Sequence, residues 1–256
     1  MAVSARPPAP RVRIGCAGWS LPSRHAALFG EGESHLARYA TRFDVAEINS
    51  TFYRPHQPRT FERWAASVPA RFRFSVKMPG AITHEAALRG VGDALSAFLD
   101  SLAALGPRLG GVLVQLPPSL VFEAQVAERF FAMLRRRSAT RVACEPRHAS
   151  WFTPGADAVL ARHAIARAAS DPARLPAAAQ PGGAGVAARW SYWRWHGSPR
   201  IYYSRYDDAA LQALAGELLR AGTARAPAWC ILDNTAHGHA MEDAARLQAF
   251  VARGTA

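Results

Sequence analysis

The chain alternates, along almost its whole length, between short runs rich in β-branched and aromatic residues and longer stretches with helical spacing. Eight runs predict strands, at 12–16, 45–49, 73–77, 111–115, 141–145, 165–170, 192–196 and 230–233. Seven stretches predict helices, at 34–43, 59–67, 86–105, 123–137, 154–163, 207–221 and 240–252. Because alternating β and α units favour a parallel sheet that closes on itself, the pattern predicts a single (β/α)8 TIM-type barrel.

Two segments fall outside this alternation. The stretch 172–188, PARLPAAAQPGGAGVAA, is too rich in Pro and Gly for a regular helix, so the sixth crossover is predicted to be irregular. Residues 1–11 are rich in Pro and Ala and predict a flexible tail. The barrel domain is therefore expected over 12–253.

The composition of the chain indicates where in the cell it is expected to lie. No stretch approaches the ~20 uninterrupted apolar residues that a membrane span needs, and residues 1–11 contain no apolar signal region. Cys16, Cys144 and Cys230 are odd in number, widely spaced and set among apolar neighbours, which is typical of reduced thiols in a core. We expect a cytoplasmic protein.

The net charge of +12 favours anionic partners, nucleic acid among them. Apart from Arg135, Arg136 and Arg137, however, the arginines are dispersed through Ala-rich helical stretches, where they usually form solvated faces. The composition therefore favours a small anionic ligand over nucleic acid, which remains an alternative.

Lys77 is the only lysine among 31 basic residues. The pKa of an ammonium group falls readily on burial, whereas a guanidinium stays charged, so a site that needs an amine for proton transfer or imine formation cannot use arginine. Lys77 also ends the third predicted strand, at the edge where barrels of this type build their active sites. The alternative is a lysine retained by chance on a solvated loop.

Other predicted strands also end in polar residues. The carboxyl ends of parallel strands meet at one mouth of the barrel, so these side chains are expected to lie together. The residues concerned are Glu47, Asn49, Gln115, Glu145, Arg147, Ser170, Asp171, Arg194, His196, Asp233 and Asn234.

The seventh strand, Tyr-Trp-Arg-Trp-His, contains the strongest signal. Alternation sends Trp193 and Trp195 toward the helices and leaves Arg194 and His196 facing the lumen. A buried guanidinium needs a carboxylate or an anionic ligand. The sequence therefore predicts either an anion clamp or a closed ion-pair network that fills the mouth, with partners from Glu47, Glu145 and Asp171.

Two further readings concern the same mouth. Glu145, Asp171, His196 and Asp233 could form an oxygen-rich metal site, but Lys77, Arg147 and Arg194 would crowd and neutralise it, so no metal site is predicted. No cofactor follows from the sequence. Aromatic residues after the strands could wall a pocket, although such residues more often belong to the core; they are Phe52, Tyr53, Trp151, Tyr202, Tyr203 and Tyr206.

Seven segments, in this order, resemble the YecE-like family, the domain-of-unknown-function family numbered seventy-two. They are GCAGW at 15–19, EINSTFY at 47–53, FRFSVKMP at 72–79 with ITH at 82–84, VQLPPS at 114–119, EPRHASW at 145–151, YWRWHG at 192–197 and DNTAHGHAMEDA at 233–244. The resemblance implies a TIM-type barrel from cytoplasmic bacterial proteins of unassigned activity, likened to sugar-isomerase barrels. The motif positions are Glu47, Asn49, Tyr53, Lys77, His84, Gln115, Glu145, Arg147, His148, Trp151, Arg194, His196, Gly197 and Asn234.

The leading hypothesis is an enzyme, isomerase- or hydrolase-like, acting on a small anionic or sugar-like substrate at the mouth. Glu145 or Glu47 would be the general base, and Lys77 or His196 the acid or electrophile; a Schiff base on Lys77 is a narrower variant. The predicted substrate-binding residues are Asn49, Tyr53, His84, Gln115, Arg147, Trp151, Asp171, Arg194 and Asn234. The alternatives are nucleic-acid binding or processing and a metabolite sensor without turnover.

Overall fold

The computed structural model describes residues 12–183, 190–223 and 225–254. The predicted tail over 1–11 lies outside the described residues. Within them the chain forms a barrel of mostly parallel strands surrounded by helices. The strands are β1 (Val12–Ala17), β2 (Val45–Ile48), β3 (Arg73–Lys77), β4 (Leu109–Gln115), β5 (Val142–Glu145), β6 (Ile165–Arg167), β7 (Ala169–Asp171), β8 (Gly182–Gly183), β9 (Ser191–Trp195) and β10 (Ala228–Leu232).

The order in the sheet is β7-β9-β10-β1-β2-β3-β4-β5-β6-β8, and its two ends are joined by the chain itself. β6 and β7 are consecutive halves of one extended segment: β6 pairs with β5, and β7 pairs with β9. Between them, the Ala168 N–H donates to the carbonyl of Cys144 at 2.8 Å. The segment therefore fills the sixth position of the barrel and bridges its two sides, as the predicted fold class requires.

Among the described residues, seven α-helices lie outside the strands. Most begin and end close to their predicted bounds, but the third, predicted over 86–105, spans only Gly92–Leu102, because Ala87, Leu88 and Gly90 have positive φ. Three of them begin at capping side chains that accept a backbone N–H of the first turn: Ser34 from Ala37, Thr153 from Ala156, and Asp207 from Ala210. The helices are α1 (His35–Arg42), α2 (Pro58–Ala66), α3 (Gly92–Leu102), α4 (Ala124–Arg137), α5 (Pro154–Arg162), α6 (Asp208–Ala221) and α7 (His239–Gly254).

The sixth crossover is irregular, as predicted. Its described part contains a 3-10 turn, Pro176–Ala179, and the short strand β8, which pairs antiparallel with β6. Residues 184–189 of the same connection lie outside the described residues. Within the described ranges, none of the helices has the length and apolar character that crossing a membrane would require.

Strand alternation divides the buried residues into two sets. The outer faces of the strands pack against the helices, with Ile14, Val76 and Trp193 among the buried residues of that core. The inner faces form a second, smaller core inside the barrel, which includes Trp190 and Trp229. The predicted alternation of the seventh strand is thus confirmed, and Arg194 lies in the lumen.

Candidate functional site

The carboxyl-end mouth of the barrel holds a layer of charged side chains. Strand register sets their levels: Lys77 pairs with Leu113, Gln115 with Glu145, and Ile231 with Arg194. Since side chains two residues apart on a strand share a face, Glu145 and Arg194 point into the same lumen. The site is thus assembled from strands distant in sequence.

Arg194 lies at the centre of this layer and is fully buried. Its guanidinium donates to both oxygens of Glu47, at 3.1 and 2.7 Å, to Glu145 at 2.8 Å and to Asp233 at 2.9 Å. Three carboxylates therefore surround one cation, and their charges raise its pKa well above the usual value despite the opposing effect of burial. Arg194 is a permanent positive charge that ties together β2, β5 and β10.

Glu145 accepts hydrogen bonds from three side chains. Besides Arg194 on Oε2, its Oε1 accepts from Arg147 Nη2 at 2.9 Å and lies 3.1 Å from His196 Nε2. Burial by itself would raise the pKa of Glu145, but the charges of Arg194, Arg147 and His196 outweigh it and hold the pKa well below the ordinary value. Glu145 is therefore ionised and weakly basic.

His196 lies between two carboxylates. Its Nε2 faces Glu145, and its Nδ1 lies 3.0 Å from Asp233 Oδ2. Burial lowers the pKa of His196, but Glu145 and the hydrogen bonds to both carboxylates outweigh it, so the net shift is upward. The arrangement stabilises the imidazolium, which donates from both nitrogens.

Glu47 lies at the base of the layer, with no exposed surface. Its Oε2 accepts from the hydroxyl of Tyr192 at 2.9 Å, and the same hydroxyl lies 2.8 Å from Ser75 Oγ. Together with the two bonds from Arg194, these contacts seal Glu47 from solvent.

Lys77 differs from the other cations of the mouth. It is 7% exposed, and its ammonium lies over the ring of Phe52, 4.3 Å from the centroid. Among the described residues, no carboxylate lies within ion-pair distance of it. Desolvation and the charge of Arg194 lower its pKa to about 8, against the opposing charges of Glu47, Glu145 and Asp233. A measurable fraction of the amine is neutral near neutral pH.

The solvent side of the mouth presents donors rather than carboxylates. His84 and Lys77 both contact the ring of Phe52, and burial, followed by the charges of Lys77 and Arg147, lowers the pKa of His84. Gln115 is 9% exposed, and its amide has no hydrogen-bond partner among residues of the described ranges. The open face of the site is therefore positive or neutral, and the carboxylates lie beneath it.

This geometry changes the expected role of Arg194. The sequence suggested a pair of arginines, Arg147 and Arg194, clamping an anion. Arg194 is instead enclosed by carboxylates of the protein and has no exposed surface, whereas the side chain of Arg147 is 15% exposed. The closed ion-pair network, the alternative in the sequence analysis, describes the lower part of the site.

Three predicted substrate-binding residues make hydrogen bonds within the protein. Trp151 is 1% exposed, packs against Phe122 and donates to the carbonyl of Leu120. Asn234 has no exposed surface and donates to Ser204 and Asp243, which fixes the loop after β9. Asp171 accepts from the hydroxyl of Tyr206 at 2.7 Å. Each is occupied by a contact within the protein.

Asn49 and Tyr53 lie on the loop after β2. The side-chain oxygen of Asn49 is buried without a hydrogen-bond partner among the described residues. Tyr53 is 78% exposed and packs edge-on against Phe52. Tyr53 could therefore meet a ligand only at the rim.

The predicted metal alternative is not assembled. Asp171 bonds to Tyr206, while Glu145 and Asp233 are engaged by Arg194. In the described ranges, no group of three His, Cys, Asp or Glu residues is placed to hold a metal ion.

Sequence reasoning underrated Asp233. It was treated as a strand-end residue of the mouth and as a candidate metal ligand, but not as a partner of Arg194; it binds both Arg194 and His196, and these partners lower its pKa against the effect of burial. Its position, two residues after the inward-facing Ile231, was a usable signal. Ser170 was noted only as a strand end.

Comparison with known proteins shows which family the chain belongs to. A family model described as "Protein of unknown function DUF72" matches residues 13–256. The chain belongs to this family. Curated members matched by the chain are the UPF0759 protein YecE of Escherichia coli (strain K12), 36% identical over 106 residues, and the UPF0759 protein YunF of Bacillus subtilis (strain 168), 26% identical over 154 residues.

These matches cover parts of each protein. The YecE match spans 41% of this chain and 38% of YecE, and the YunF match spans 56% of this chain and 53% of YunF. The chain thus aligns with about half or less of the length of these curated relatives.

Two solved structures of DUF72 family proteins share the fold. One, from Thermotoga maritima MSB8, matches with a TM-score of 0.77 at 22% identity, covering 94% of this chain and 99% of that chain. Another, from Enterococcus faecalis V583, matches with a TM-score of 0.76 at 19% identity, covering 94% and 95%. At these identities the likeness concerns the barrel alone.

Proposed function

We propose that the chain is an enzyme that binds a small anionic or sugar-like substrate at the carboxyl-end mouth and uses Lys77 to transfer a proton. The observation that carries the proposal is the environment of this amine. Lys77 is nearly buried over Phe52, has no carboxylate within ion-pair distance among the described residues, and has a pKa lowered to about 8. A pKa near the working pH suits a general acid or base.

The carboxylates of the mouth are poor candidates for the base. Glu47 and Glu145 accept from Arg194 and from other buried donors, and the pKa of Glu145 is held well below its usual value. A carboxylate that is fully hydrogen-bonded in its ionised form gains little by taking a proton. We therefore assign the glutamates to holding Arg194 and His196 in place.

The substrate class follows from the open face. Lys77 and His84 contact the same Phe52 ring, Arg147 bonds to Glu145, and Gln115, whose amide has no partner among the described residues, pairs in strand register with Glu145. These groups favour an anionic or polyhydroxylated ligand. Proton-shuttling isomerisation or hydrolysis fits the set, and a Schiff base between Lys77 and a carbonyl substrate is a variant with the same lysine.

The test begins with a thermal-shift screen of the whole chain against sugar phosphates, small acids, nucleotides and divalent metals. A ligand at ~100 times its dissociation constant adds about 2.7 kcal/mol to the free energy of unfolding. Compounds that bind are then assayed for turnover. The matched control is Arg59→Ala, because Arg59 is exposed on the outer helix α2.

The decisive variant is Lys77→Arg, which keeps a positive charge that cannot be released. We expect ligand binding to change by a few fold and turnover to fall at least about 100-fold. If Lys77 acts as a base, the rate rises with pH through about 8, since the neutral amine is the active form. Unchanged turnover in Lys77→Arg contradicts this role, and binding without turnover supports the sensor alternative.

Nucleic-acid binding is a second candidate, favoured by exposed aromatic side chains near the mouth. Tyr53, Tyr202 and Tyr203 are 78%, 40% and 38% exposed, and Arg200 lies over the ring of Tyr203. Stacking platforms beside basic groups are typical of single-strand binding. The affinity measured by titration with oligonucleotides should then fall steeply as the salt concentration rises. Binding no stronger than that of other basic proteins rejects this candidate.

A cytoplasmic location is part of the proposal. Its support is that the three cysteines of the chain, Cys16, Cys144 and Cys230, are buried and free.

A further inference from the structure

A small cavity of about 140 Å³ opens beside the mouth, between the ends of β5, β7 and β9 and the described part of the sixth crossover. Its polar walls are Glu145, Arg147, Ser170, Arg174 and His196. Of these, Ser170 and Arg174 had no assigned role. The cavity thus shares Glu145, Arg147 and His196 with the proposed active site and adds Ser170 and Arg174.

Three of these walls carry unused hydrogen-bond donors. Arg147 bonds to Glu145 through Nε and Nη2, and its Nη1 has no partner in the described part of the chain. The hydroxyl of Ser170 and the guanidinium of Arg174 likewise have no hydrogen-bond partner among the described residues, and Arg174 is exposed. Two cations and a hydroxyl with unused donors therefore border one space, next to the Glu145 carboxylate that Arg147 already binds.

The negative charge that also borders the cavity is already compensated. Glu145 accepts from Arg147 and Arg194 and lies against His196, so each of its oxygens is engaged. The shift in the pKa of His196 is upward, which adds positive rather than negative charge to the wall. An entering anion therefore meets donors.

We propose that this cavity is an anion subsite of the active site, which receives the phosphate group of a phosphate monoester through Arg147, Ser170 and Arg174. The proposal rests on the proposed function and names its substrate class. The planar N–H donors of the two guanidinium groups suit phosphate oxygens. A phosphate group offers three acceptor oxygens to Arg147, Ser170 and Arg174, whereas a carboxylate offers two.

The location of Arg174 gives the sixth crossover a role. The sequence predicted only that this Ala-, Pro- and Gly-rich stretch is irregular, and in the structure Pro172, Ala173 and Arg174 all border the cavity. An irregular connection can bring an arginine over the strand ends where a helix would carry it away from the mouth. The crossover would then select substrates by their phosphate.

The test measures binding of inorganic phosphate to the whole chain by calorimetry, with acetate as the comparison anion. Because a hydrogen bond to a charged group contributes about 1.5–3 kcal/mol, Arg174→Ala should weaken phosphate binding about tenfold or more, and Ser170→Ala should weaken it by a smaller factor. Arg59→Ala removes the same charge from an exposed position on α2 and should leave the affinity within about twofold.

Other outcomes overturn the subsite. They are no binding at millimolar phosphate, acetate binding as tightly as phosphate, or equal losses in Arg174→Ala and Arg59→Ala. The readout is separate from that of the proposed function. Phosphate binding that depends on Arg174, in a protein that turns nothing over, upholds the subsite and rejects the enzyme. Lys77-dependent turnover that is indifferent to Arg174→Ala upholds the enzyme and rejects the subsite.

Discussion

The amino-end and carboxyl-end halves of the barrel interior are both buried, but the first is filled by aromatic side chains and the second by charged ones. At the amino end, Trp190 and Trp229 pack edge to face with ring centroids 5.0 Å apart, and both are fully buried. At the carboxyl end, Arg194 is as deeply buried but is surrounded by three carboxylates. Tyr192 marks the boundary, because its ring contacts Trp190 and its hydroxyl donates to Glu47.

The two halves therefore contribute differently to folding. Burial of large aromatic side chains stabilises the amino half, although the indole N–H groups of Trp190 and Trp229 find no acceptor among the described residues. In the carboxyl half, desolvation offsets much of the attraction between the charges, so an ion network there is weak support for stability. The chain keeps its costly layer at the end where barrels of this type perform chemistry, which is expected of a functional site.

The largest expected effect comes from removing the central cation. Arg194→Met leaves Glu47, Glu145 and Asp233 buried without it, and breaking a buried ion pair in this way costs about 5 kcal/mol of unfolding free energy near neutral pH. The carboxyl pKa values then rise, so protonation relieves the cost and the deficit shrinks toward about pH 5. Urea unfolding at both pH values measures the effect.

A double variant, Arg194→Met with Glu47→Gln, keeps this prediction testable if Arg194→Met alone does not fold. Adding Glu47→Gln removes one buried negative charge with little change of shape, so the double variant should recover part of the loss. A deficit that is the same at both pH values, or no recovery in the double variant, would show that the carboxylates are not the source of the cost.

The matching change at the other end is Trp190→Ala. Truncating a fully buried Trp leaves a cavity and should cost about 4 kcal/mol. Tyr192, the ionisable residue in the cluster around Trp190, has its pKa raised well above the usual value by burial and stays protonated at both pH values, so the loss should be equal at about pH 5 and pH 7. Urea unfolding of the same two samples tests it, and a pH-dependent loss would mean that the halves are electrostatically coupled.

The third change should stabilise the protein. In the folded chain the pKa of Lys77 is lowered from 10.5 to about 8, so below about pH 8 the charged amine is held at a cost. At 1.36 kcal/mol per pKa unit, Lys77→Met should raise the free energy of unfolding by about 3 kcal/mol near neutral pH. Since the unfolded state binds more protons between these two pKa values, the wild type gains stability as pH rises through this window and the difference disappears.

Unfolding measured against pH, in wild type and Lys77→Met, tests this sign. A variant that is less stable than the wild type near neutral pH would mean that the contact of Lys77 with Phe52 outweighs desolvation. It would also remove the argument that the lysine is kept for function.

The architecture followed from sequence because it depends on local patterns. Alternation within the seventh strand was enough to place Arg194 inside and Trp193 outside. The state of Arg194 could not be predicted, since its partners come from β2, β5 and β10 and their distances depend on strand register and barrel closure. Sequence favoured the clamp and left the closed network as its alternative, and it could not decide between them for that physical reason.

The substrate-binding set shows the same limit. Trp151 and Asn234 follow strand ends as Arg147 does, yet both are buried: Trp151 donates to the carbonyl of Leu120 and the Asn234 amide N–H to the carboxylate of Asp243, while Asn234 Oδ1 has no partner among the described residues. Arg174 carries no periodic signal, and only the path of the sixth crossover brings it to the cavity. A position at a strand end identifies candidate substrate-binding residues, but the conformation of the following loop determines which of their side chains reach the mouth.

The smallest expected effect probes how tightly the amino half is filled. Gly111 faces the lumen from β4, and a Cβ on it would lie 2.3 Å from the Trp190 ring, so the ring must move for any larger residue to fit. Because the neighbouring Trp229 and Tyr192 leave Trp190 little room, Gly111→Ala should cost about 2 kcal/mol in unfolding free energy through overpacking. Gly155→Ala, where a Cβ meets nothing within 4 Å, is the matched control. If Gly111→Ala recovers its stability when combined with Trp190→Phe, the cost arises at that ring; if the two losses simply add, the strain lies elsewhere in β4.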